Sequence, residues 1–278
     1  MLTKVREDAA ATAERREAEA AWRARHQDAG LRVAGVSHSF GELRVLERIE
    51  LEARPGQVIG VVGPSGCGKT TLLELVAGLR DPDAGTISVE GGTAAERRLA
   101  RCAYMPQRDL LLPWQSAIDN AGLALRVAGI SRQQARRQVA TDFERLGLGG
   151  FEDARPDELS GGMRQRVAFL RTLVAGRPVL LLDEPFASLD AITRAELQSW
   201  LAEALATDRH TVLLVTHDVE EALYLSDRVL VLTPRPARIA SELEVPEPRV
   251  ADRAAAVSSA AFAELRQRAL RVLGGEES

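Results

Sequence analysis

The sequence predicts an α/β fold: a mostly parallel β-sheet flanked by helices and interrupted by a helical insertion. Three observations carry that expectation. The runs Val58–Val62 and Val179–Leu182 hold no charge, as strands buried on both faces of a parallel sheet do. Such runs alternate with stretches of helical periodicity, the pattern of strands joined by crossover helices. From Arg108 to Gly176 the periodicity is helical only.

The elements follow in order. Lys4 to Ala29 is rich in Ala, Glu and Arg, with Glu19 and Arg23 four apart. It reads as a charged N-terminal extension, helical or frayed, over residues 1–29. Ordered structure is expected from Leu31, with apolar runs at Leu31–Val36 and Val45–Leu51 and a turn at Arg54-Pro55-Gly56. Strand Val58–Val62 leads into a helix over Thr70–Leu79, stopped by Asp81-Pro82. Ile87–Val89 and Ala103–Met105 read as strands. Helices are expected at Gln115–Val127, Arg132–Leu146 and Gly161–Val174. Strands return at Val179–Leu182, Val212–Val215 and Val229–Leu232, alternating with helices Ala191–Ala206 and Val219–Leu225. Pro234, Pro236, Pro246 and Pro248 break the next stretch, and a last helix, about Arg253 to Leu273, ends at Gly274-Gly275. The main domain thus spans 30–240, its helical subdomain about 108–176, and a helical tail 241–278.

Composition bounds the function. With 36 basic against 40 acidic residues and a net charge of −4, the chain lacks the basic footprint of a nucleic-acid binder. No stretch approaches the ~18 apolar residues of a membrane span. The charged N-terminus has no apolar core of a signal peptide. Two cysteines, Cys67 and Cys102, form neither a metal spacing nor a disulfide framework, which points to a reducing, cytoplasmic setting. Only two lysines occur, Lys4 and Lys69. A chain that uses arginine almost everywhere else keeps a lysine at Lys69.

That lysine closes the segment Gly63-Pro64-Ser65-Gly66-Cys67-Gly68-Lys69-Thr70, which fits G-x-x-x-x-G-K-[ST] between a buried strand and a helix. The glycines let backbone N–H groups wrap an anion, and the helix start adds its positive dipole end. Lys69 is placed to pair with the β- and γ-phosphates and Thr70 to ligate Mg2+; Thr71 extends the loop's contacts. Cys67 is a small spacer whose electropositive surroundings are expected to lower its thiol pKa, with bound ATP shielding it from alkylation. The second acidic element is the strand Val179–Leu182 followed by Asp183 and Glu184. Ligands bind beyond the carboxyl ends of parallel strands, so Asp183 can reach Mg2+ through water, and Glu184 can deprotonate an attacking water. Together these elements mark a P-loop NTPase, hydrolase or kinase.

Leu159-Ser160-Gly161-Gly162-Met163-Arg164-Gln165-Arg166 opens another predicted helix with a hydroxyl and two glycines, a second anion site. A single nucleotide can use both helix starts only if they come from different subunits. This segment resembles the signature loop of the ATP-binding-cassette (ABC) family, and the resemblance runs from Leu31 to about Pro236. Met163 stands where Gln is usual. The resemblance implies a P-loop core with an antiparallel β subdomain and a helical subdomain. It also implies a head-to-tail homodimer in which Ser160, Gly161 and Gly162 of one copy meet the γ-phosphate held by the other copy's Lys69. It assigns Gln107, in Tyr104-Met105-Pro106-Gln107, to sensing Mg2+ and the attacking water, and His217 to the γ-phosphate. Ser188-Leu189-Asp190 is assigned to coupling the two sites, and Phe40 to stacking on adenine.

Leu111-Leu112-Pro113-Trp114 and the run Asp183 to Arg194 resemble the ATPase subunits of bacterial nitrate, sulfonate, taurine and hydroxymethylpyrimidine importers. That branch implies separate transmembrane permease chains, docked near Leu112-Pro113-Trp114, with an extracytoplasmic substrate-binding protein as an indirect partner. It implies a peripheral position on the cytoplasmic face of the bacterial inner membrane, and a small anion or pyrimidine precursor as cargo. The alternative is a soluble ABC ATPase acting on a non-transport partner. The single cassette, the lack of a long coiled-coil insertion and the acidic balance weigh against it. A small-molecule kinase would lack the signature loop.

Overall fold

The computed structural model describes residues 30–275 except 188, 208–209, 247 and 250–251. The N-terminal extension and Ser188 therefore lie outside the described residues.

The chain forms two sheets. Strands β1 (Leu31–Phe40), β2 (Leu43–Ala53) and β4 (Ala84–Val89) make an antiparallel sheet in the order β2-β1-β4. The main sheet has the order β5-β6-β7-β3-β8-β9, with β3 (Val58–Val62), β5 (Cys102–Met105), β6 (Val179–Asp183), β7 (Thr211–Thr216), β8 (Arg228–Leu232) and β9 (Ile239–Glu244). All neighbours in it are parallel except β8 and β9.

The strands read as unbroken apolar runs because each face meets a different core. Val58, Val62, Leu180, Leu182, Val212 and Leu214 point into one cluster, packed against the helical subdomain and the C-terminal helices. Ile59, Val61, Val179, Leu181, Leu213 and Val215 point into the other, closed by the antiparallel sheet and helix α1 (Lys69–Ala77). This is the period-two alternation of a strand buried on both sides.

Helix boundaries follow local chemistry. Helix α1 stops earlier than Asp81-Pro82, at Gly78, which takes the left-handed conformation (φ 82°) while Leu79 N donates to Glu74 O. Helix α2 (Ala95–Arg101) was not expected from the sequence. In place of one helix over Gln115–Val127 there are two short ones, α3 (Ala117–Ala121) and α4 (Leu123–Val127), hinged at Gly122. They join α5 (Arg132–Arg145) and α6 (Gly161–Leu173) in the helical subdomain. Helices α7 (Ala191–Thr207) and α8 (Val219–Leu225) flank β7. The final helix is also split, into α9 (Arg253–Val257) and α10 (Ala260–Leu273), because Ser258 ends one and Ser259 caps the next by accepting from Phe262 N at 3.2 Å.

Strand β9 lies in the stretch read as proline-broken. The prolines flank the strand, and its place at the sheet edge leaves one side of its backbone unpaired. It spans the boundary set at residue 240, so the tail begins inside the main sheet. Phe262 and Ala269 of α10 are buried in the main cluster.

Candidate active site

The loop after β3 is built around Lys69. Its Nζ donates to Gly63 O at 2.8 Å and Pro64 O at 3.1 Å, and the side chain is buried. Gly68 caps α1 at φ 124°, and a Cβ there would lie 2.7 Å from Val45 Cγ1. Glycine is therefore required both by conformation and by the close packing of β2 on the loop. Ser65, Gly66 and Thr70 face outward, while Gly63, Cys67 and Lys69 are buried and Pro64, Gly68 and Thr71 lie between.

Cys67 corrects the sequence-based expectation. It is 2% exposed, and burial pushes its thiol pKa up against the opposing pull of Lys69. Removing the thiolate from water costs more than the nearby cation returns.

At the ends of β6 and β7 the predicted polar residues converge. Asp183 is buried and accepts from Tyr104 Oη at 3.4 Å. Burial pushes the Asp183 pKa up, opposed by the nearby hydroxyls of Thr70 and Tyr104 and by Lys69. Glu184 follows at φ 48°, and its N–H donates to Val215 O at 2.8 Å. A non-glycine residue in the left-handed region costs on the order of 1–3 kcal/mol, and such strain clusters where a side chain must be aimed. The aim here is toward two partners. Gln107 Nε2 donates to Glu184 Oε2 at 3.1 Å, and His217 Nδ1 lies 3.3 Å from the same oxygen. Gln107, Glu184 and His217, on three separate segments, thus meet at one carboxylate.

The serine–glycine segment sits elsewhere. Ser160 caps α6, accepting from Met163 N at 3.2 Å, and both Ser160 and Gly161 are exposed. A Cβ on Gly162 would stand 3.2 Å from Leu189 Cδ2. Among the described residues, no hydrogen bond or ion pair joins Ser160, Gly161 or Gly162 to the phosphate loop of the same chain. Asp190 accepts from Ile192 N and Thr193 N, each at 3.1 Å, and so caps α7. Hydrogen bonding with Thr193 lowers its pKa. Phe40, at the tip of the β1–β2 hairpin, is 42% exposed, with Arg80 over its ring at 5.0 Å and His38 edge-on at 4.9 Å.

Several supporting residues escaped the sequence reading. Arg171 donates to the carbonyls of Leu110 and Asp109, and Arg164 bonds both the Asp109 carboxylate and Leu159 O, tying the segment after Gln107 to α6. Gln165 Nε2 donates to Pro185 O at 3.1 Å, linking α6 to the residue after Glu184. Asn120 is fully buried; it accepts from Leu112 N and donates to Leu112 O, Gln115 O and Ser116 O. Their partners are distant or backbone groups, which no local motif reveals.

Comparison with known proteins shows the family. Residues 46–187 match the ABC transporter family. The chain is 43% identical over 202 residues to the formylaminopyrimidine import ATP-binding protein of Halalkalibacterium halodurans, covering 73% of this chain and 78% of that protein. It is 46% identical over 220 residues to an aliphatic sulfonates import ATP-binding protein of Rhodococcus jostii, covering 79% and 85%. It is 43% identical over 236 residues to the nitrate import ATP-binding protein of Synechococcus elongatus, covering 84% and 86%. Among solved structures, a dimeric bacterial ABC transporter cassette superposes with a TM-score of 0.72 at 25% identity, over 78% of this chain and 99% of that one. A phosphate loop, an acidic strand end with its glutamine and histidine, and the match over residues 46–187 make the chain a member of the ABC transporter family, an ATP-binding-cassette ATPase.

Proposed function

We propose that this chain is the ATP-hydrolysing subunit of an importer, acting as a head-to-tail homodimer on separate transmembrane permease chains. The observation that carries the reading is the meeting of Gln107 and His217 on Glu184, one residue after the buried Asp183. ATP binds at residues 63–71 with adenine against Phe40. Glu184 takes the proton of the attacking water, held in place by Gln107, and His217 binds the γ-phosphate. Ser160, Gly161 and Gly162 supply the opposite wall from the second copy, with Asp190 and its loop coupling the sites. Thr70, Asp183 and the amide oxygen of Gln107 form a small set of hard oxygen donors. That suits Mg2+, which is usually held by one or two protein groups together with substrate phosphates. When bound, the ion offsets the charge of the phosphates.

The permease surface lies after Gln107. Trp114 is 69% exposed and Leu110 60% exposed, while Asn120 and Arg171 fix the backbone between them. Exposed apolar groups on a pinned loop suit insertion against a partner helix. The importer role also rests on relatives whose names are those of import ATP-binding proteins for formylaminopyrimidine, sulfonates and nitrate. By that likeness the cargo is a small organic or inorganic anion or a pyrimidine precursor. It is handed to the permease by an extracytoplasmic substrate-binding protein, with the ATPase peripheral on the cytoplasmic face. Among the described residues, no helix is long and apolar enough to cross a membrane.

The test is size-exclusion chromatography of Glu184→Gln with and without MgATP, together with its turnover. The expected result is an ATP-dependent shift from monomer to dimer, with turnover lowered about 10²–10⁴-fold, the usual worth of a general base. Wild-type turnover would remove Glu184 from its role, and ATP binding without dimerisation would remove the shared site.

A further inference from the structure

The turn after β8 brings a cation to the phosphate loop that the roles above do not use. Strand β8 pairs in parallel with β3, so both end at the same edge of the sheet, where β3 enters the loop. A Cβ on Gly63 would stand 3.0 Å from Leu232 Cβ, at the end of β8. The next residues turn tightly: Arg238 N donates to Thr233 Oγ1 at 3.0 Å and Thr233 N donates to Arg238 O at 3.0 Å. Ala237 N donates to Val45 O at 2.8 Å and Glu47 N to Ala237 O at 2.9 Å. The turn is thereby clipped to β2, between the phosphate loop and the hairpin that carries Phe40.

Arg235 lies within this turn. A Cβ on Gly66 would stand 3.6 Å from Arg235 Nη2, so the guanidinium rests against the loop's outer rim, where Ser65 and Gly66 are exposed. Its charge reaches into the loop and acts on the Cys67 thiol. Arg235 is itself exposed, and among the described residues no carboxylate pairs with it. In a chain with 40 acidic residues against 36 basic ones, an arginine free of carboxylates and seated on an anion-binding loop has that loop's ligand as its evident partner.

We propose that Arg235 is a nucleotide-binding residue of this site, its guanidinium reaching past Gly66 to the polyphosphate of ATP held in the loop. This rests on reading residues 63–71 as the nucleotide loop. The planar guanidinium matches phosphate oxygens with two parallel donors, which the single ammonium of lysine does not. Lys69 approaches from within the loop and Arg235 from outside it. The contribution belongs to phosphate charge and not to adenine.

The experiment is equilibrium titration of wild type, Arg235→Ala, Arg235→Lys and Lys69→Ala with fluorescent ATP, with adenosine as a competitor, alongside steady-state ATPase assays. Arg235→Ala weakens ATP binding about 5–30-fold, the scale of one lost charge-assisted contact. KM for ATP rises by a like factor while kcat changes far less. Arg235→Lys recovers part of the loss, and adenosine competes as in wild type. If wild type and Arg235→Ala bind ATP equally while Lys69→Ala does not, the role of Arg235 is overturned and the loop reading stands. Equal weakening for adenosine would also overturn it, since that marks a change of pocket shape. Failure of wild type to bind ATP would overturn the loop reading itself, and the role of Arg235 with it.

Discussion

The Cys67 thiol lies two residues from Lys69 and beside Arg235, inside a loop built for anions, yet its pKa is pushed up. Cys102, buried at the start of β5, is pushed further by burial, to about 12. In both, loss of water around the sulfur outweighs the nearby positive charge. Reactivity needs thiolate and access, and neither group has them. With both cysteines free, a thiol reagent at mildly alkaline pH is expected to find almost no reactive sulfur in the native, nucleotide-free protein and two after denaturation. Rapid labelling of Cys67 in the native protein would mean that the loop opens far more often than its packing implies. Sequence placed Cys67 in the loop after β3 but not its environment, because the buried cluster it joins includes Leu213, Val215 and Leu232, from strands far along the chain.

Between helices α3 and α5 the main polar tie is the Asp119 carboxylate. Asp119 is buried and takes hydrogen bonds from Arg132, Arg136 and Ser116; Arg136 also reaches Asp153 at 3.0 Å. Arg136 foremost, with Arg132 and Ser116, holds the Asp119 carboxyl well below the usual carboxylate range. A carboxyl whose pKa falls on folding adds stability above its unfolded value, about 3.9, and that contribution is lost as pH drops below it. Asp119→Asn is therefore expected to lower stability by about 2–3 kcal/mol at neutral pH, the scale of charge-assisted bonds lost from a buried group, with the gap narrowing in acid. Urea unfolding at both pH values checks it, and a gap independent of pH would mean that packing, not charge, holds the two helices. Element by element, the strands and helices with strong patterns, such as β3, β6, α6 and α8, were legible to within a residue or so. What was not legible were breaks inside one periodic stretch, at Gly122 and at Ser258-Ser259, and the short edge strand β9. There the deciding groups are caps and cross-strand partners, and the hydrophobic period says nothing about them.

Across the whole molecule, the meeting of Gln107, Glu184 and His217 was legible because each follows a strand of the parallel sheet, which delivers strand ends to one edge, whereas Ser160 and Gly161 begin a helix. The links between elements were not, and Glu221 is the clearest of them. It lies on α8, four residues after His217, and is 3% exposed. Gln198 of α7 donates to it at 3.3 Å and in turn accepts from Arg253 of α9 at 2.9 Å, so one network spans the core, α7 and the C-terminal tail. The Thr216 hydroxyl of β7 and Arg194 of α7 favour the ionised carboxyl, and Asp218 repels it. Burial dominates and pushes the Glu221 pKa up to about 8. The unfolded chain releases this proton near pH ~4.3, whereas the folded protein keeps it until near its raised value. Over that window the folded state binds more protons, so this group makes stability fall as pH rises. Glu221→Gln, which mimics the protonated acid, removes the effect. The variant should melt close to wild type near pH ~5 and on the order of 5 °C higher in mildly alkaline buffer, where the wild-type carboxyl resists ionising. Thermal unfolding across pH measures the difference. A constant difference would show that Glu221 is already ionised in the folded protein, with the Gln198–Arg253 link stabilising its charge.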